Sequence, residues 1–322
     1  MNVTVILCTY NRCQSLAKAL ESVLASDVSE SVSWEVLVVD NNSRDETRGV
    51  AEEFIARYPG RVRYLFESKQ GLSNARNSGI SAALGQVVAF TDDDVTVDVR
   101  WLKNLTQPLL DNDCVGTAGR ILLGDFAPPS WLAIRGPHDL GGSLVQFDLG
   151  EEQIVLDRAP FGASMAFQKS LFEKFGGFRA DLGRAGKSLI GNEDTEFGTR
   201  LITAGLRLLY MPSAIVYHPV FEERLTKRYF RSYWYGLGRS LVRQRGEQFS
   251  FWMVPRAYVA EFRRRLRWMS AADHYWYRTA QGRFYCEVHA LQALGQIIEG
   301  WSQWRRTRRN LKSSAPSRAD LM

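Results

Sequence analysis

The sequence predicts an α/β protein in which a mainly parallel sheet carries helices on both faces. Four apolar, β-branched segments in the first 120 residues are typical of strands buried on both faces of such a sheet: VTVILC, WEVLVVD, VRYLFE and QVVAFT. Segments with helical periodicity separate them, as they do where helices connect parallel strands. The chain has 322 residues, 45% of them apolar and 24% charged, which is enough for one large globular domain or two smaller ones.

Helix signals follow the first two strands. Leu16 and Leu20 recur on one face of the first predicted helix, and Asn11 has the position of its N-cap. Ser43 and Glu46 have the spacing of a capping box before the second helix. A glycine turn and a short helix follow the third strand, and the fourth strand ends at three aspartates.

The second part of the predicted sheet is less regular. Residues 124–160 are rich in glycine and proline, and a loop of this length in a compact domain is either a functional wall or lid or a disordered segment. FGASMAF then resumes the character of a strand, and NEDTEFGTRLITAG predicts a helix that begins at Asn192 and ends before Gly205. Two short strands are predicted on either side of a turn at Pro212.

The balance of charge changes near Glu222. Residues 222–322 contain 20 lysines and arginines against 8 acidic residues, whereas the residues before them contain 21 against 27. We therefore expect a first domain at 1–221, made of halves at about 1–120 and about 121–221, and a basic helical region at 222–308. The tail at 309–322 is expected to be disordered.

The basic region contains segments with apolar residues at helical spacing, among them RAYVAEFRRRLRWM and FYCEVHALQALGQIIEGW. One interpretation is that these helices pack on each other and on the first domain, with the arginines in solvent. The other is attachment to an anionic membrane surface, where arginine-rich faces and tryptophans are favoured. A nucleic-acid partner is disfavoured because no recognition motif accompanies the charge.

Several protein classes are disfavoured by the sequence. No stretch has the roughly 18 uninterrupted apolar residues of a membrane-spanning helix. No basic segment precedes the first strand, so we expect a cytoplasmic protein without a secretory signal, in solution or peripheral on the cytoplasmic face of the membrane. The four cysteines lack disulfide-framework density and CxxC spacing, which indicates buried thiols. GLGRS at 236–240 follows no strand, which argues against a nicotinamide dehydrogenase.

Polar residues follow three predicted strands, in CTYNR, DNNS and TDDD. Parallel sheets bind ligands at the edge where the carboxyl ends of their strands lie. In an extended segment Asp92 and Asp94 point to one side and Asp93 to the other. Two carboxylates on one side suit Mg²⁺ or Mn²⁺, because waters and substrate phosphates complete the shells of these ions. The alternative is a solvated acidic turn.

Further candidates for chemistry lie in the second part of the chain. Glu193 and Asp194 fall in the first turn of a predicted helix, where they are either charges that favour the helix N-terminus or a general base for a hydroxyl nucleophile. His218 ends a predicted strand and is either a packed residue or a nitrogen ligand that suits Mn²⁺ better than Mg²⁺. Three cations near the strand ends are either partners of phosphate oxygens or surface charges: Arg12, Lys69 and Arg76.

The order of the motifs resembles that of the family 2 inverting glycosyltransferases, which have the nucleotide-diphospho-sugar transferase fold called GT-A. The resemblance spans roughly residues 2–220 and rests on eight segments: CTYNR, VVDNNSRDET, KQGLSNARNSGI, VAFTDDDV, FGASMAF, GGF, GNEDTEFGTRL and VYHP. It implies a Rossmann-like GT-A catalytic domain at 1–221, with the nucleotide-binding half first and the acceptor half second, followed by a C-terminal helical region.

The resemblance also implies a set of residues that bind the nucleotide-sugar: Thr9, Tyr10, Arg12, Asp40, Lys69, Arg76, Asp92 and Asp93. Asp40 would contact the base of a UDP-type donor, and Asp92 would face the ribose or the sugar. Lys69 and Arg76 belong to the segment that closes over the nucleotide. Asn41 departs from the family pattern, because many members carry a second aspartate there, and this leaves the preference for the base and the donor open.

Metal binding and catalysis are implied for the remaining residues. Asp94, the last residue of the DxD motif, and His218 would bind the Mn²⁺ or Mg²⁺ that bridges the diphosphate. Asp93 is either part of the donor site or only structural, because it is expected to face away. Asp194 matches the catalytic base of the family, with Glu193 in support.

The implied reaction is an in-line displacement in which an acceptor hydroxyl attacks the anomeric carbon, so that an α-linked donor gives a β-linked product. The donor would be a nucleotide-diphospho-sugar, with UDP expected, and the acceptor a glycan or lipid-linked glycan in polysaccharide, glycolipid or other envelope synthesis. A nucleotidyltransferase on a related fold is one alternative, although it would not need the Glu-Asp helix. A non-catalytic sugar-nucleotide binder is the other, and the presence of every motif disfavours it.

Overall fold

The computed structural model describes residues 1–186, 188–246 and 279–313, together with residues 259, 260, 263, 264 and 267. The chain divides into two compact units. The first unit comprises 1–127, 141–188 and 192–224, and the second comprises 128–140, 189–191 and 225–322. Residues 128–140 thus belong to the second unit, although the sequence places them in the first domain. The helix predicted in RAYVAEFRRRLRWM lies for the most part outside the described residues.

The first four strands of the first unit form a parallel half-sheet in the order β3-β2-β1-β4. Their bounds are Val3–Thr9 (β1), Trp34–Asp40 (β2), Val62–Phe66 (β3) and Val87–Asp92 (β4). The helices between them are Cys13–Leu24 (α1), Thr47–Arg57 (α2) and Leu72–Ala82 (α3). β2 is buried at every position, as continuous apolar strands require when both faces of a sheet are covered.

The second half of the nine-stranded sheet is mixed. Its elements are Thr96–Val97 (β5), Trp101–Leu110 (α4), Gly116–Leu123 (β6), Ile154–Val155 (β7), Met165–Gln168 (β8), Ser170–Phe175 (α5), Glu193–Thr203 (α6) and Leu208–His218 (β9). The sheet order continues from β4 through β8, β6 and β9 to β5, while β7 also pairs with β9. β8 is antiparallel to both of its neighbours, and β6 is parallel to β9. The predicted α/β fold with a mainly parallel sheet is confirmed.

The residues expected to cap α1 and α2 instead join the two loops to each other. The Asn11 amide donates to Ser43 Oγ at 2.9 Å, and the Arg44 amide donates to Asn11 Oδ1 at 2.7 Å. The capping prediction was therefore wrong for Asn11, Ser43 and Glu46, and neither helix has a side-chain cap. These hydrogen bonds hold together the loops that follow β1 and β2.

β9 is one strand rather than the two predicted around Pro212. Its register with β6 shifts between Gly119, which faces Met211, and Arg120, which faces Ile215. The extra residues form an irregularity that accommodates Pro212, because proline lacks the N–H that a regular ladder needs. The strand therefore continues to His218 at the carboxyl edge of the sheet.

An aromatic cluster fixes α6 against the sheet. Phe197 of α6 is fully buried and stacks on Phe172 of α5, with ring centroids 4.4 Å apart. Phe167 of β8 meets Phe197 edge-on at 5.1 Å, and Phe178 lies 5.2 Å from the same ring. Such contacts add to the hydrophobic stabilisation of each ring. They set the position of the first turn of α6, where Glu193 and Asp194 lie.

The second unit contains two long helices, Lys227–Arg245 (α7) and Ala280–Ser313 (α8). They approach closely at Gly238, where a Cβ would lie 1.9 Å from the Gln292 carbonyl oxygen. The buried Glu299 of α8 pairs with Arg239 and Arg243 of α7. α8 includes residues 309–313 of the tail that was predicted to be disordered, and residues 314–322 lie outside the described part.

Two further predictions concern membrane-spanning helices and the cysteines. Within the described residues, no helix is both long and apolar enough to cross a membrane. The four cysteines are free, as expected; Cys114 and Cys286 are buried, whereas Cys8 and Cys13 are only half-buried.

Candidate active site

The carboxyl ends of β1, β2 and β4 lie side by side. Cys8 of β1 faces Asp92 of β4, and Thr9 of β1 faces Asp40 of β2 in the parallel registers. The three polar loops that follow these strands therefore meet at one edge of the sheet, as predicted. This is the edge at which parallel α/β sheets bind ligands.

The three aspartates at the end of β4 face several cations. β4 ends at Asp92, and Asp93 and Asp94 form a turn. Arg12 Nη1 donates to Asp93 Oδ1 at 3.0 Å and to Asp94 Oδ2 at 2.6 Å. The prediction that Asp93 faces away was wrong, because the alternation of a strand stops where the turn begins.

The carboxylates of the triplet differ in their electrostatics. Burial raises the pKa of Asp93 to about 6, although Arg12 opposes this effect. Burial also acts to raise the pKa of Asp94, but His218, Arg12 and Arg224 outweigh it, and the pKa is lowered. The pKa of Asp92 is raised, mainly by burial. Asp94 is therefore the member of the triplet that its surroundings keep ionised.

Asp94 and His218 have the chemistry of a divalent metal site. His218 Nδ1 lies 2.9 Å from the Pro219 carbonyl oxygen, so Nδ1–H donates there and the Nε2 lone pair is free. Nε2 is 3.8 Å from Asp94 Oδ1. Burial lowers the pKa of His218, which favours the neutral, metal-binding form. A carboxylate oxygen and an imidazole nitrogen fit Mn²⁺, for which phosphates and waters commonly supply the other ligands.

The described residues contain no group of three or more His, Cys, Asp or Glu side chains arranged to hold a metal. This is compatible with the pair, because ions that act on nucleotide phosphates use one or two protein carboxylates. Asp94 and His218 therefore suit an ion that a phosphate-bearing ligand also binds.

Arg224 is a candidate site residue that was not predicted from the sequence. It follows β9 in a short 3₁₀ helix, Glu222–Arg224, and its Nη2 lies 3.5 Å from Asp94 Oδ2. The predicted boundary at Glu222 assigned this cation to the basic C-terminal region. Its position only six residues after His218 was the one signal in the sequence that could have indicated a place near Asp94.

Asp194 is held by backbone and side-chain donors. The Gly162 amide donates to Asp194 Oδ2 at 2.7 Å, and the Thr195 amide and hydroxyl donate to Oδ1 at 2.7 and 3.1 Å. Asp194 is half-buried, in the first turn of α6. These donors fix the direction of the half-buried Asp194 carboxylate at the N-terminus of α6.

Glu193 and Arg76 form a buried ion pair beside Asp194. Arg76 Nη1 lies 2.7 Å from Glu193 Oε1, and Arg76 Nη2 lies 3.6 Å from Asp92 Oδ1. Burial and the neighbouring Asp194 raise the pKa of Glu193 to about 7, although Arg76 opposes them. The side chain of Arg76 is only 3% exposed, in contrast to the exposed Lys69 with which the resemblance groups it.

The predicted nucleotide-binding residues fall into two groups by exposure. Tyr10, Arg12 and Lys69 are exposed, whereas Thr9 and Asp40 are buried. Asp40 Oδ1 accepts from the Ser43 amide and Oδ2 from the Tyr64 hydroxyl, each at 2.8 Å. Both oxygens of Asp40 thus already bind protein donors.

Asn41 explains the departure from the family pattern. Its Nδ2 donates to the Lys69 carbonyl at 2.8 Å and to the Glu67 carbonyl at 3.3 Å, while its Oδ1 accepts from the Gly71 amide at 2.7 Å. An aspartate in this position could accept but not donate. Asn41 therefore shapes the segment 67–71, which ends at the first turn of α3.

Comparison with known proteins agrees with this geometry. Residues 4–152 match the model of the family described as Glycosyl transferase family 2. The chain is 29% identical over 254 residues to the glucosyl-dolichyl phosphate glucuronosyltransferase of Haloferax volcanii, covering 75% of this chain and 77% of the relative. It is 28% identical over 240 residues to the succinoglycan biosynthesis protein ExoM of Rhizobium meliloti, covering 72% and 73%.

Solved structures show the same fold. The mannosyltransferase PcManGT from Pyrobaculum calidifontis, in complex with GDP-Man and Mn²⁺, aligns with a TM-score of 0.55 at 20% identity, over 99% of this chain and 77% of that one. GalNAc-T7 with UDP, GalNAc and Mn²⁺ aligns with a TM-score of 0.54 at 19% identity, over 76% and 52%. Both neighbours are GT-A glycosyltransferases. The predicted resemblance to the family 2 glycosyltransferases is confirmed by the family match over residues 4–152.

Proposed function

We propose that this glycosyltransferase is an inverting, metal-dependent enzyme that transfers a sugar from a nucleotide-diphospho-sugar to an acceptor hydroxyl. The observation that carries the proposal is the pairing of Asp94 with the neutral His218 at the carboxyl edge of the sheet, 3.8 Å apart. A bound Mn²⁺ or Mg²⁺ would supply positive charge that stabilises the departing diphosphate. Asp94 and His218 would hold that ion.

Asp194 acts as the general base in this proposal. Its Oδ2 is fixed by the Gly162 amide and its Oδ1 by Thr195, so the carboxylate has a defined direction toward an incoming hydroxyl. Removal of the hydroxyl proton by Asp194 strengthens the nucleophile as it attacks the anomeric carbon opposite the leaving diphosphate. Attack from that face converts an α-linked donor into a β-linked product. Glu193 supports the base from the preceding position.

The cations around Asp94 are suited to the donor phosphates. Arg12, which is partly exposed, contacts Asp94 Oδ2. Arg224, at the C-terminal end of the first unit, contacts the same oxygen. Guanidinium groups bind phosphate oxygens through charge-assisted hydrogen bonds. In our proposal they contact the diphosphate, while Thr9, Tyr10 and Lys69 line the nucleotide pocket.

The remaining donor contacts come from the aspartates. Asp92 faces the ribose or the sugar, and Asp93 orients Arg12, with which it shares a hydrogen bond at 3.0 Å. Asp40 contributes to the pocket for the base while it remains bonded to Ser43 and Tyr64.

We further propose a UDP-sugar, with a hexose as the transferred group, and a polysaccharide or lipid-linked glycan of envelope synthesis as the acceptor. The names of the two relatives, which refer to a dolichyl phosphate glycan and to succinoglycan, support this acceptor class. The two structural neighbours bind different nucleotides, GDP-Man and UDP, so the base preference needs direct measurement.

The basic region supports a peripheral association with the cytoplasmic face of a membrane. Residues 222–322 carry 20 lysines and arginines against 8 acidic residues, and Trp301 of α8 is 44% exposed. Anionic lipids attract such a surface, and tryptophan favours the interface. Co-sedimentation with phosphatidylglycerol vesicles, but not with phosphatidylcholine vesicles, at low salt is expected, with release at high salt. Absence of binding to the anionic vesicles would contradict this association.

The donor proposal is tested by a thermal-shift screen of UDP- and GDP-sugars with Mn²⁺, with Mg²⁺ and with EDTA. We expect stabilisation by one UDP-sugar with metal and its loss in EDTA. Product analysis then separates the alternatives. Release of nucleoside diphosphate indicates glycosyl transfer, whereas pyrophosphate indicates a nucleotidyltransferase. Binding without any turnover of donor would indicate a non-catalytic binder.

A further inference from the structure

Arg76 lies between two functional segments of the first unit. It projects from α3 and is almost fully buried, with Nη1 2.7 Å from Glu193 Oε1 on α6. Its Nη2 lies 3.6 Å from Asp92 Oδ1 at the end of β4. One guanidinium therefore connects the strand that carries the aspartate triplet with the helix that carries Asp194.

Aromatic rings restrict the direction of this guanidinium. Its central carbon lies 5.9 Å from the ring centroid of Phe90 and 5.5 Å from that of Phe178. Both rings belong to the buried aromatic cluster that also packs α6. A cation enclosed in this way interacts with the ring faces and has little freedom to turn outward toward a ligand.

Gly162 connects Arg76 to Asp194 directly. A Cβ at Gly162 would lie 2.0 Å from Arg76 Nη2, so this position has room for no larger residue while Arg76 keeps its place. The amide of the same glycine donates to Asp194 Oδ2 at 2.7 Å. The place of the guanidinium thus sets the place of the backbone group that orients Asp194.

The charges around Arg76 also depend on it. Burial acts to lower the pKa of Arg76, but Glu193, Asp92 and Asp194 outweigh burial and raise it. Without this cation the buried Glu193 and the half-buried Asp92 would lose a counter-ion, and a buried charge left without its partner is strongly unfavourable. The backbone around α6 would then have to move or the carboxyl groups take up protons.

We propose that Arg76 is a positioning residue that holds Asp194 in line with the donor, by bridging Asp92 and Glu193 and by packing on Gly162. This inference rests on the proposed role of Asp194 as the base, and it replaces the contact between Arg76 and nucleotide that the resemblance implies. Arg76 acts on the rate of the chemical step rather than on nucleotide affinity.

The test separates turnover from binding. The variants are Arg76→Gln, which removes the charge, and Arg76→Lys, which keeps the charge but cannot make both contacts. Turnover is measured as nucleoside diphosphate released from the sugar donor that gives the largest thermal shift, and affinity by calorimetry with UDP and GDP in Mn²⁺. We expect Arg76→Gln to lower kcat by about 100-fold, the order expected when a reacting group moves by about 1 Å, with nucleotide affinity unchanged.

A second ion pair gives the matched control. Arg63 Nη1 lies 2.9 Å from the buried Glu35 Oε2, within the same unit. Arg63→Gln should lower Tm without changing kcat at saturating donor. Arg76→Lys should fold and have a kcat between those of the wild type and Arg76→Gln, so it carries the test if the glutamine variant does not fold.

Two outcomes would overturn the inference. Loss of nucleotide affinity in Arg76→Lys or Arg76→Gln, with normal kcat at saturation, would make Arg76 a donor ligand. A normal kcat and normal affinity in both variants would remove any role in positioning. Failure of the proposed function is distinguishable, because it would be seen as an active Asp194→Asn enzyme whatever the Arg76 variants do.

Discussion

Glu35 and Glu193 are both buried carboxylates that face an arginine, yet their surroundings move their pKa values in opposite directions. Burial acts to raise the pKa of Glu35, but hydrogen bonds from Arg63, the Leu84 amide and Thr4 outweigh it and lower the pKa. The donors lie at 2.9, 3.0 and 2.8 Å. Burial and the neighbouring Asp194 instead raise the pKa of Glu193 to about 7.

The difference lies in the balance of donors and like charges. Glu35 lies near the start of β2, at the end of the strand opposite Asp40, and its several donors compensate its charge. Glu193 has one strong partner, Arg76, which it shares with Asp92 and Asp194. Carboxylates that are crowded and incompletely compensated occur where a protein uses them, and this favours a role in function for the second group. Substitutions in the two regions should therefore have separable effects on stability and activity.

The largest effect on activity is expected at Asp194, the neighbouring carboxylate that helps to raise the pKa of Glu193. Asp194→Asn should lower kcat by about 100- to 10,000-fold, the range lost when a general base is removed. Nucleotide binding should stay close to that of the wild type, because the amide keeps the shape of the side chain. Turnover and calorimetry with UDP and Mn²⁺ measure the two quantities.

Asp157→Asn gives a control for Asp194→Asn, since Asp157 is an exposed aspartate paired only with its neighbour Arg158 in the ion pairs of the described chain. It should have wild-type kcat. Near-normal turnover in Asp194→Asn would contradict the role of Asp194 as the base. It would also contradict the inference that the carboxylates around Glu193 serve catalysis.

The next effect is expected at Asp94, a carboxylate whose surroundings lower its pKa as those of Glu35 do, but through groups that a ligand can engage. Asp94→Ala should reduce the gain in nucleotide affinity from Mn²⁺ by at least about tenfold, since even residues behind metal ligands have effects of this size. Calorimetry with UDP in Mn²⁺ and in EDTA measures that gain. Equal affinity in both conditions for the wild type would remove the metal from the site.

Much of the first half-sheet could be predicted from the sequence, because continuous apolar strands have few other environments. The meeting of the three strand ends followed from the parallel arrangement alone. The direction of Asp93 could not be predicted, since the end of β4 depends on where pairing stops and not on the pattern of residues. The prediction of two strands around Pro212 was wrong for a related reason. The irregularity that accommodates Pro212 within β9 depends on pairing with β6, which the sequence does not reveal.

The ion pairs within the site could not be predicted from the sequence. Arg76 and Lys69 are close along the chain and were given one role, but only packing against Phe90 and Phe178 shows that Arg76 is buried. Arg224 reaches Asp94 from 130 residues away in the chain. Nothing in local spacing encodes such contacts, whereas the residue types at the strand ends did predict that polar and charged side chains meet at one edge of the sheet.

A smaller effect is expected at Asn41, which resembles Glu35 in having each polar atom satisfied. Asn41→Asp removes both donated hydrogen bonds to the segment 67–71 and should lower the free energy of unfolding by about 1–3 kcal/mol. Urea unfolding measures the loss, and calorimetry should show weaker UDP binding. Asn42→Asp adds the same charge at a half-buried neighbour and should have a smaller effect. Equal effects would mean that charge, rather than the lost donors, is responsible.

A direct test of the comparison is the pH dependence of stability. Because the pKa of Glu193 is raised from 4.5 to about 7 on folding, the native state holds a proton that the unfolded chain has lost, and stability falls as pH rises from 4.5 to 7. The Tm of Glu193→Gln, measured relative to that of the wild type, should therefore increase between pH 5 and pH 8. For a unit of this size the gain should be about 2–4 °C for each kcal/mol.

Glu35 should show the opposite trend, since its pKa is lowered on folding. Its contribution is complete above the unfolded value of 4.5 and is lost as pH falls through the folded value. The advantage in Tm of the wild type over Glu35→Gln should thus shrink between pH 5 and pH 3 and stay constant from pH 5 to pH 8. Thermal melts of both variants across pH 3–8 check the two trends together. Parallel pH profiles for the two variants would show that both glutamates are compensated alike, and the distinction between the structural pair and the pair beside Asp194 would fail.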